Sequence, residues 1–121
     1  SFQAPPRTQS AWLVRFEVLV TEDAQRDLEE IQGYISEHDD PDKAEHVLER
    51  LERAIENLAT HPARGSFPKE LVALGIREYR QTLFKPYRII YRIVGRRVYI
   101  YLVTDGRRDL QALLARRLFG M

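Results

Sequence analysis

From residue 14 onward, apolar positions recur in patterns that predict seven elements. Val14-Arg15-Phe16-Glu17-Val18-Leu19-Val20 alternates apolar and polar until its end, a strand with Val14, Phe16, Val18 and Val20 on one face. Thr21 follows as a helix cap, with Glu22 and Asp23 in the first turn, where the helix dipole favours acids. Ala24, Leu28, Ile31 and Ile35 then form one apolar stripe on a helix over 22–37. His38-Asp39-Asp40-Pro41 breaks it, and Asp40 with Pro41 starts a second helix. The second stripe is Ala44, Val47, Leu48, Leu51, Ala54, Ile55 and Leu58, ending near Thr60-His61-Pro62. So short a break predicts an antiparallel helical hairpin.

Residues 62–77 read as a connector, with Leu71, Val72, Leu74 and Ile76 anchoring it to the core. Three strands are predicted next, over 78–84, 87–94 and 97–104, with turns at Lys85-Pro86 and Gly95-Arg96. In the middle one, Tyr87, Ile89, Tyr91 and Ile93 share one face, and Arg88, Ile90, Arg92 and Val94 the other. Both faces carry apolar groups, as an inner strand covered on both sides requires. A short helix over 107–119 carries Leu110, Leu113, Leu114 and Leu118. The order β-α-α-β-β-β-α predicts an α+β fold: an N-terminal strand, a helical hairpin, a three-stranded antiparallel meander and a C-terminal helix, with the helices packed on an antiparallel sheet. Leu28, Ile31, Ile35, Val47, Leu51, Ile55, Leu58, Ile89 and Val98 should share one core.

Residues 1–13 have no periodicity and read as a disordered leader, a cloning remnant or an over-extended gene start, although Trp12 and Leu13 could dock on the core. Residues 14–121 are the folded domain, a length that suits one core. Cysteine is absent, which excludes disulfides, thiolate nucleophiles and Cys-based metal sites. His38, His46 and His61 lack metal-ligand spacing. No apolar run reaches the ~20 residues of a membrane span, and no signal peptide is visible. A cytoplasmic protein without metal, membrane or small-molecule cofactor is expected.

Charge changes the picture. The formal net charge is +1, yet residues 77–121 hold eleven Lys and Arg against three acids, a net +8. Residues 14–76 hold seven bases against fifteen acids, a net −8, much of it on the outer faces of the helices at Glu29, Glu30, Glu45, Glu49, Glu52 and Glu56. A basic last third rich in Tyr suits a polyanion or an acidic partner; the plainer reading is that arginine fills the solvated faces of a sheet.

Five stretches carry a family resemblance: TEDAQRDLEEIQGYI, HPARG, LGIREYR, KPYRIIYRIV and VYIYLVTDGRRDLQALL. Together they cover residues 14–119 and resemble the ParE/RelE superfamily of bacterial toxins, on the ParE side. The resemblance implies the toxin of a type II toxin–antitoxin system, of the kind that stabilises plasmids. A cognate, acidic, ParD-like antitoxin would neutralise it as a hetero-oligomer, and DNA gyrase would be the target. Asp105 stands where such toxins often place a histidine, which removes one acid/base group.

The alternative reading is a RelE-like, ribosome-dependent mRNA endoribonuclease, with Arg80, Arg88 and Arg92 on phosphate and Tyr91 as a proton-transfer candidate. Its weakness is the tail LQALLARRLFGM, which has no Tyr, His or Glu after Asp109. Under the ParE reading, the target- or antitoxin-binding residues are Arg107, Arg108 and Asp109 at the strand–helix junction, then Arg80, Lys85 and Arg88. Asp109 has a structural option as a first-turn helix acid pairing with Arg80 or Arg92. A nucleic-acid-binding domain without toxicity, or a toxin fold that has lost its activity, remain as further readings.

Overall fold

The computed structural model describes residues 15–120; Val14, Met121 and the expected leader, with Trp12 and Leu13, lie outside the described residues. Strand β1 (Glu17–Val20) leads into helices α1 (Glu22–His38) and α2 (Pro41–Glu56). The cap residues act as the sequence predicts. The Thr21 hydroxyl accepts from the Ala24 N–H, and the Asp40 side chain accepts from Asp42 N–H ahead of Pro41. Strands β2 (Tyr79–Phe84), β3 (Tyr87–Val94) and β4 (Arg97–Asp105) form the antiparallel meander.

The sheet as a whole is mixed, in order β1-β4-β3-β2, which corrects the expectation of an antiparallel sheet. β1 lies parallel to β4, from Glu17↔Arg97 to Val20↔Ile100. Alternation fixes which face of a strand is buried and says nothing of its neighbour. The junction is tied by Thr21, whose backbone N–H and hydroxyl both donate to Ile100 O at 3.2 and 2.9 Å. Phe16 and Val18 pack on the core as expected, whereas Val20, on this edge strand, is exposed.

The connector is more structured than expected. It contains a 3-10 turn at Pro62–Arg64 and a one-turn helix, α3 (Lys69–Val72), and another 3-10 turn, Asn57–Ala59, precedes it at the end of α2. Leu71 is buried and Ile76 partly so; Leu74, expected to anchor, is exposed. It follows α3 in the turn Ala73–Gly75, where Gly75 takes a positive φ of 78°.

Two apolar clusters sandwich the sheet. The hairpin side holds Ala24, Leu28, Leu51, Ile55, Leu58, Ile89, Tyr91, Val98, Ile100 and Val103, with Ile31 and Val47 partly buried against them. On the opposite side Leu71, Tyr79, Ile90 and Leu102 meet Leu110 and Leu114 of helix α4 (Leu110–Phe119). The two-sided composition of the middle strand is thereby explained. Helix α4 begins at Leu110, three residues later than predicted, because Asp109 is its cap and accepts from Ala112 N–H at 3.2 Å.

Candidate functional site

β1 pairs β4 only as far as Ile100, so the rest of β4 leaves a free edge. A bulge lies there: Ile90 pairs with Leu102 and Tyr91 with Ile100, so Tyr101 is the extra residue. Side chains from both flanking helices satisfy the backbone groups left over. Arg117 of α4 donates to Tyr101 O at 2.8 Å, and Asp27 of α1 accepts from Val103 N–H at 3.0 Å. The two side chains also bind each other bidentately, at 2.9 and 3.1 Å. Asp27 is 8% exposed, and such burial is tolerable because both carboxylate oxygens are occupied. The Asp27 hydrogen bond and carboxylate hold Arg117 above the ordinary arginine range.

This network forms one end of a groove of about 600 Å³ between α1, the end of β4 and the start of α4. Ile31, Ile35, Tyr87 and Leu113 give it apolar walls, and Tyr34, 65% exposed and stacked on His38, stands at its mouth. Pro86 and Tyr87 continue into an adjoining hollow of about 410 Å³ that ends at Lys43, Phe84 and Lys85. Burial raises the Tyr87 phenol above its ordinary value, with the nearby Asp105 charge adding to it.

Of the sequence candidates, Arg107 and Arg108 line this groove and Lys85 lines the hollow that adjoins it. Arg107 is mostly in solvent and pairs with Asp105 at 2.6 Å. That hydrogen bond, supported by the Arg107 backbone N–H, holds the Asp105 carboxyl down at about 2. Arg108 is exposed and joins no ion pair among the described residues. Asp109 is spent on its capping bond, and the expected pairing with Arg80 or Arg92 is absent among the described residues.

The remaining candidates lie elsewhere. Arg80 donates to Ala63 O at 3.2 Å and Gly65 O at 2.9 Å and sits over the Phe67 ring. Arg88 makes a two-pronged pair with Glu70 of α3 at 2.9 and 3.0 Å and also donates to Gln81. That bond draws the Glu70 carboxyl below its ordinary value. Arg92 lies over Tyr79 on the α4 side of the sheet. Tyr91 is fully buried, its hydroxyl donating to Pro62 O, and burial raises its pKa. Of the nuclease candidates, Arg80 and Tyr91 are cross-strand neighbours that meet at the Gly65 turn, each engaged by backbone carbonyls, whereas Arg92 lies over Tyr79.

Asp27 and Arg117 escaped the sequence reading. The signal existed: Asp27 falls three residues after Ala24 and four before Ile31, on the buried stripe of α1. Among the described residues, no group of three or more His, Cys, Asp or Glu could hold a metal ion, and no helix is long and apolar enough to cross a membrane.

The family model described as "ParE toxin of type II toxin-antitoxin system, parDE" matches residues 18–110, from β1 to the first residue of α4. The chain belongs to the ParE toxin family. Among solved structures, this ParE-family chain is similar to a protein of the chromosomal ParDE system of P. aeruginosa. The TM-score is 0.64 at 16% identity, covering 75% of this chain and 96% of that one. It is also similar to a chain of the toxin–antitoxin complex RelBE2 of Mycobacterium tuberculosis, at TM-score 0.53 and 24% identity, covering 76% and 92%. At such identities these two similarities speak for the fold. A search of curated proteins finds no significant match. The ParE match assigns the chain as the toxin of a type II toxin–antitoxin system.

Proposed function

We propose that this ParE-family toxin acts by binding DNA gyrase and stalling it on cleaved DNA, and that an acidic, ParD-like antitoxin neutralises it. The observation that carries the choice of target is the engagement of Arg80 and Tyr91. Metal-independent RNA cleavage needs a group free to move a proton and cations free to meet a phosphorane. Here Tyr91 is buried on Pro62 O, Arg80 is bound to two carbonyls, and Arg88 is neutralised by Glu70. Arg107 and Arg108, in contrast, stand exposed at a groove rim, where guanidinium groups can grip an acidic protein surface.

The same groove suits the antitoxin. Ile31, Ile35, Tyr87 and Leu113 give it apolar and aromatic walls, Asp27 and Asp105 in its lining are already paired with Arg117 and Arg107, and Arg108, with Lys85 in the adjoining hollow, suits an amphipathic segment with acids on its outer side. The antitoxin and the target would then compete for one surface.

Expression in bacteria tests the reading. Cells should filament and induce the DNA-damage response while bulk mRNA stays intact, and co-expression of the neighbouring antitoxin gene should restore growth and yield a co-purifying complex. Cleavage at the ribosomal A site by the purified chain would overturn the gyrase assignment in favour of the endoribonuclease.

A further inference from the structure

The hairpin-side core is open at one end. Helix α2 stops at Glu56, and the chain turns away through the 3-10 turns Asn57–Ala59 and Pro62–Arg64. Beyond that point Phe16 and Ile93 pack against the core but are only partly buried. A hollow of about 620 Å³ lies against them, lined also by Pro62, Ala63 and the exposed residues His61 and Arg64. No carboxylate lines it among the described residues. It shares no residue with the Arg107–Arg108 groove. Half-covered apolar walls of this kind gain stability from whatever completes their burial.

The start of β1 indicates what covers them. The backbone enters the strand between the two sides of the hollow. Phe16 N–H donates to Ala59 O at 2.7 Å, next to Thr60, and Glu17 N–H donates to Arg96 O at 2.9 Å, next to Gly95. Thr60 and Gly95 both line the hollow, as does Phe16 itself. Phe16 and Val18 share the core side of the strand. The same parity carried upstream falls on Val14 and Trp12. Trp12 is four residues before Phe16, a stretch that reaches at most about 14 Å. On so short a tether the effective concentration is on the order of millimolar, so a weak contact is enough to hold it.

We infer that Trp12 folds back into this hollow and closes the open end of the core. The chemistry of the hollow fits an indole. Phe16, Pro62, Ala63 and Ile93 give the ring body an apolar seat. Arg64 lies within the lining as a cation for the indole face, the strongest aromatic partner for a guanidinium. The Thr60 hydroxyl, which already donates to Asn57 O, has lone pairs left for the indole N–H. The segment then acts as a latch. It ties the strand that opens the domain to the Pro62–Arg64 turn, whose carbonyls hold Tyr91 and Arg80. This inference is independent of the gyrase reading.

Trp12 is the sole tryptophan, so the intrinsic fluorescence of the full chain reads its surroundings directly. In the folded chain the emission maximum should lie at shorter wavelength than in urea, and acrylamide should quench it less. Ala63 is exposed and lines the hollow. Ala63→Glu should occupy the seat and return emission and quenching toward their urea values, with the far-UV circular dichroism unchanged. Arg64→Ala should raise the quenching constant about two- to fivefold, the ratio set by a cation–π contact at an exposed site. Arg64→Lys should restore most of that protection. Leu74→Glu, at an exposed residue outside the hollow, should alter neither reading. Trp12→Ala should lower Tm and make it insensitive to Ala63→Glu. Emission as red and as quenchable in the folded chain as in urea would overturn the inference, and so would shielding that survives Ala63→Glu. Shielding lost on dilution would overturn it too, since the indole would then come from a second copy of the chain.

Discussion

Arg117 on the last helix reaches past the free edge of β4 to Asp27 on the first, donating to both carboxylate oxygens and to Tyr101 O. Two helices on opposite sides of the sheet are joined through this arginine, which also approaches Asp23 at 3.7 Å, at the position where β1 ends and β4 bulges. The pair caps an edge that would otherwise present unpaired backbone groups.

Truncating one partner should therefore cost more than a surface salt bridge does. Arg117→Ala leaves a buried carboxylate and an unpaired carbonyl, and should destabilise by roughly 3 kcal/mol. Asp27→Leu combined with Arg117→Met should recover much of that loss, since a shape-filling apolar pair avoids the stranded charge. Urea denaturation of the two variants decides; equal losses in both would show that the pair is not what matters.

Leu51 and Ile55 lie at the centre of the hairpin–sheet core, Leu51 with no exposed surface. Alanine at either should destabilise by ~2–5 kcal/mol, as cavities in packed cores do. A thermal shift indistinguishable from wild type would mean that α2 turns a different face inward.

Gly65 is positioned by close approach. A Cβ there would sit 2.0 Å from the Tyr91 hydroxyl oxygen and 2.7 Å from Gln81 O. Gly65→Ala should push the Pro62–Ser66 segment off β2 and lower Tm clearly. Adding Tyr91→Phe should restore only part of it, because the clash with Gln81 O remains. Full recovery in the double variant would place the whole conflict at the hydroxyl.

Acid should weaken the fold through two depressed carboxyls, Glu70 beside Arg88 and Asp105, held at about 2 beside Arg107. A carboxyl whose folded pKa is depressed adds stability above its unfolded pKa, near 4, and loses it as pH falls through the folded value. Tm should fall as pH is lowered from about 4.5 toward 2. The better-buried Arg88–Glu70 pair should dominate, since Arg107 is 84% exposed and its pair is screened by solvent. Arg88→Gln should flatten the dependence, whereas Arg107→Gln should barely alter it.

Arg107→Ala with Arg108→Ala should abolish toxicity while the melting curve stays within the small range typical of surface changes, about half a kcal/mol. Retained toxicity at equal expression would move the functional surface away from this junction.

What the sequence determined by itself was everything carried by period and by local chemistry. Alternation and 3.6-residue stripes located the elements of β-α-α-β-β-β-α order to within a few residues, Thr21 and Asp40 capped their helices, and the two-sided Tyr87–Val94 pattern announced a sheet covered on both faces. The concentration of arginine near the C-terminus also pointed to Arg107 and Arg108 on the groove. Tertiary structure decided whatever depended on who meets whom. A strand's pattern carries no record of its neighbour, so the parallel β1–β4 pairing appeared only in the fold. A guanidinium reads alike in sequence whether it is free or neutralised. Only the approach of Gly65, Glu70 and Asp27 turned Arg80, Arg88 and Arg117 into structural ties, while Arg108 joins no ion pair among the described residues. The physical reason is range: propensity and periodicity act within a few residues, whereas the pairing of buried charges and edge carbonyls joins positions as far apart as Asp27 and Arg117.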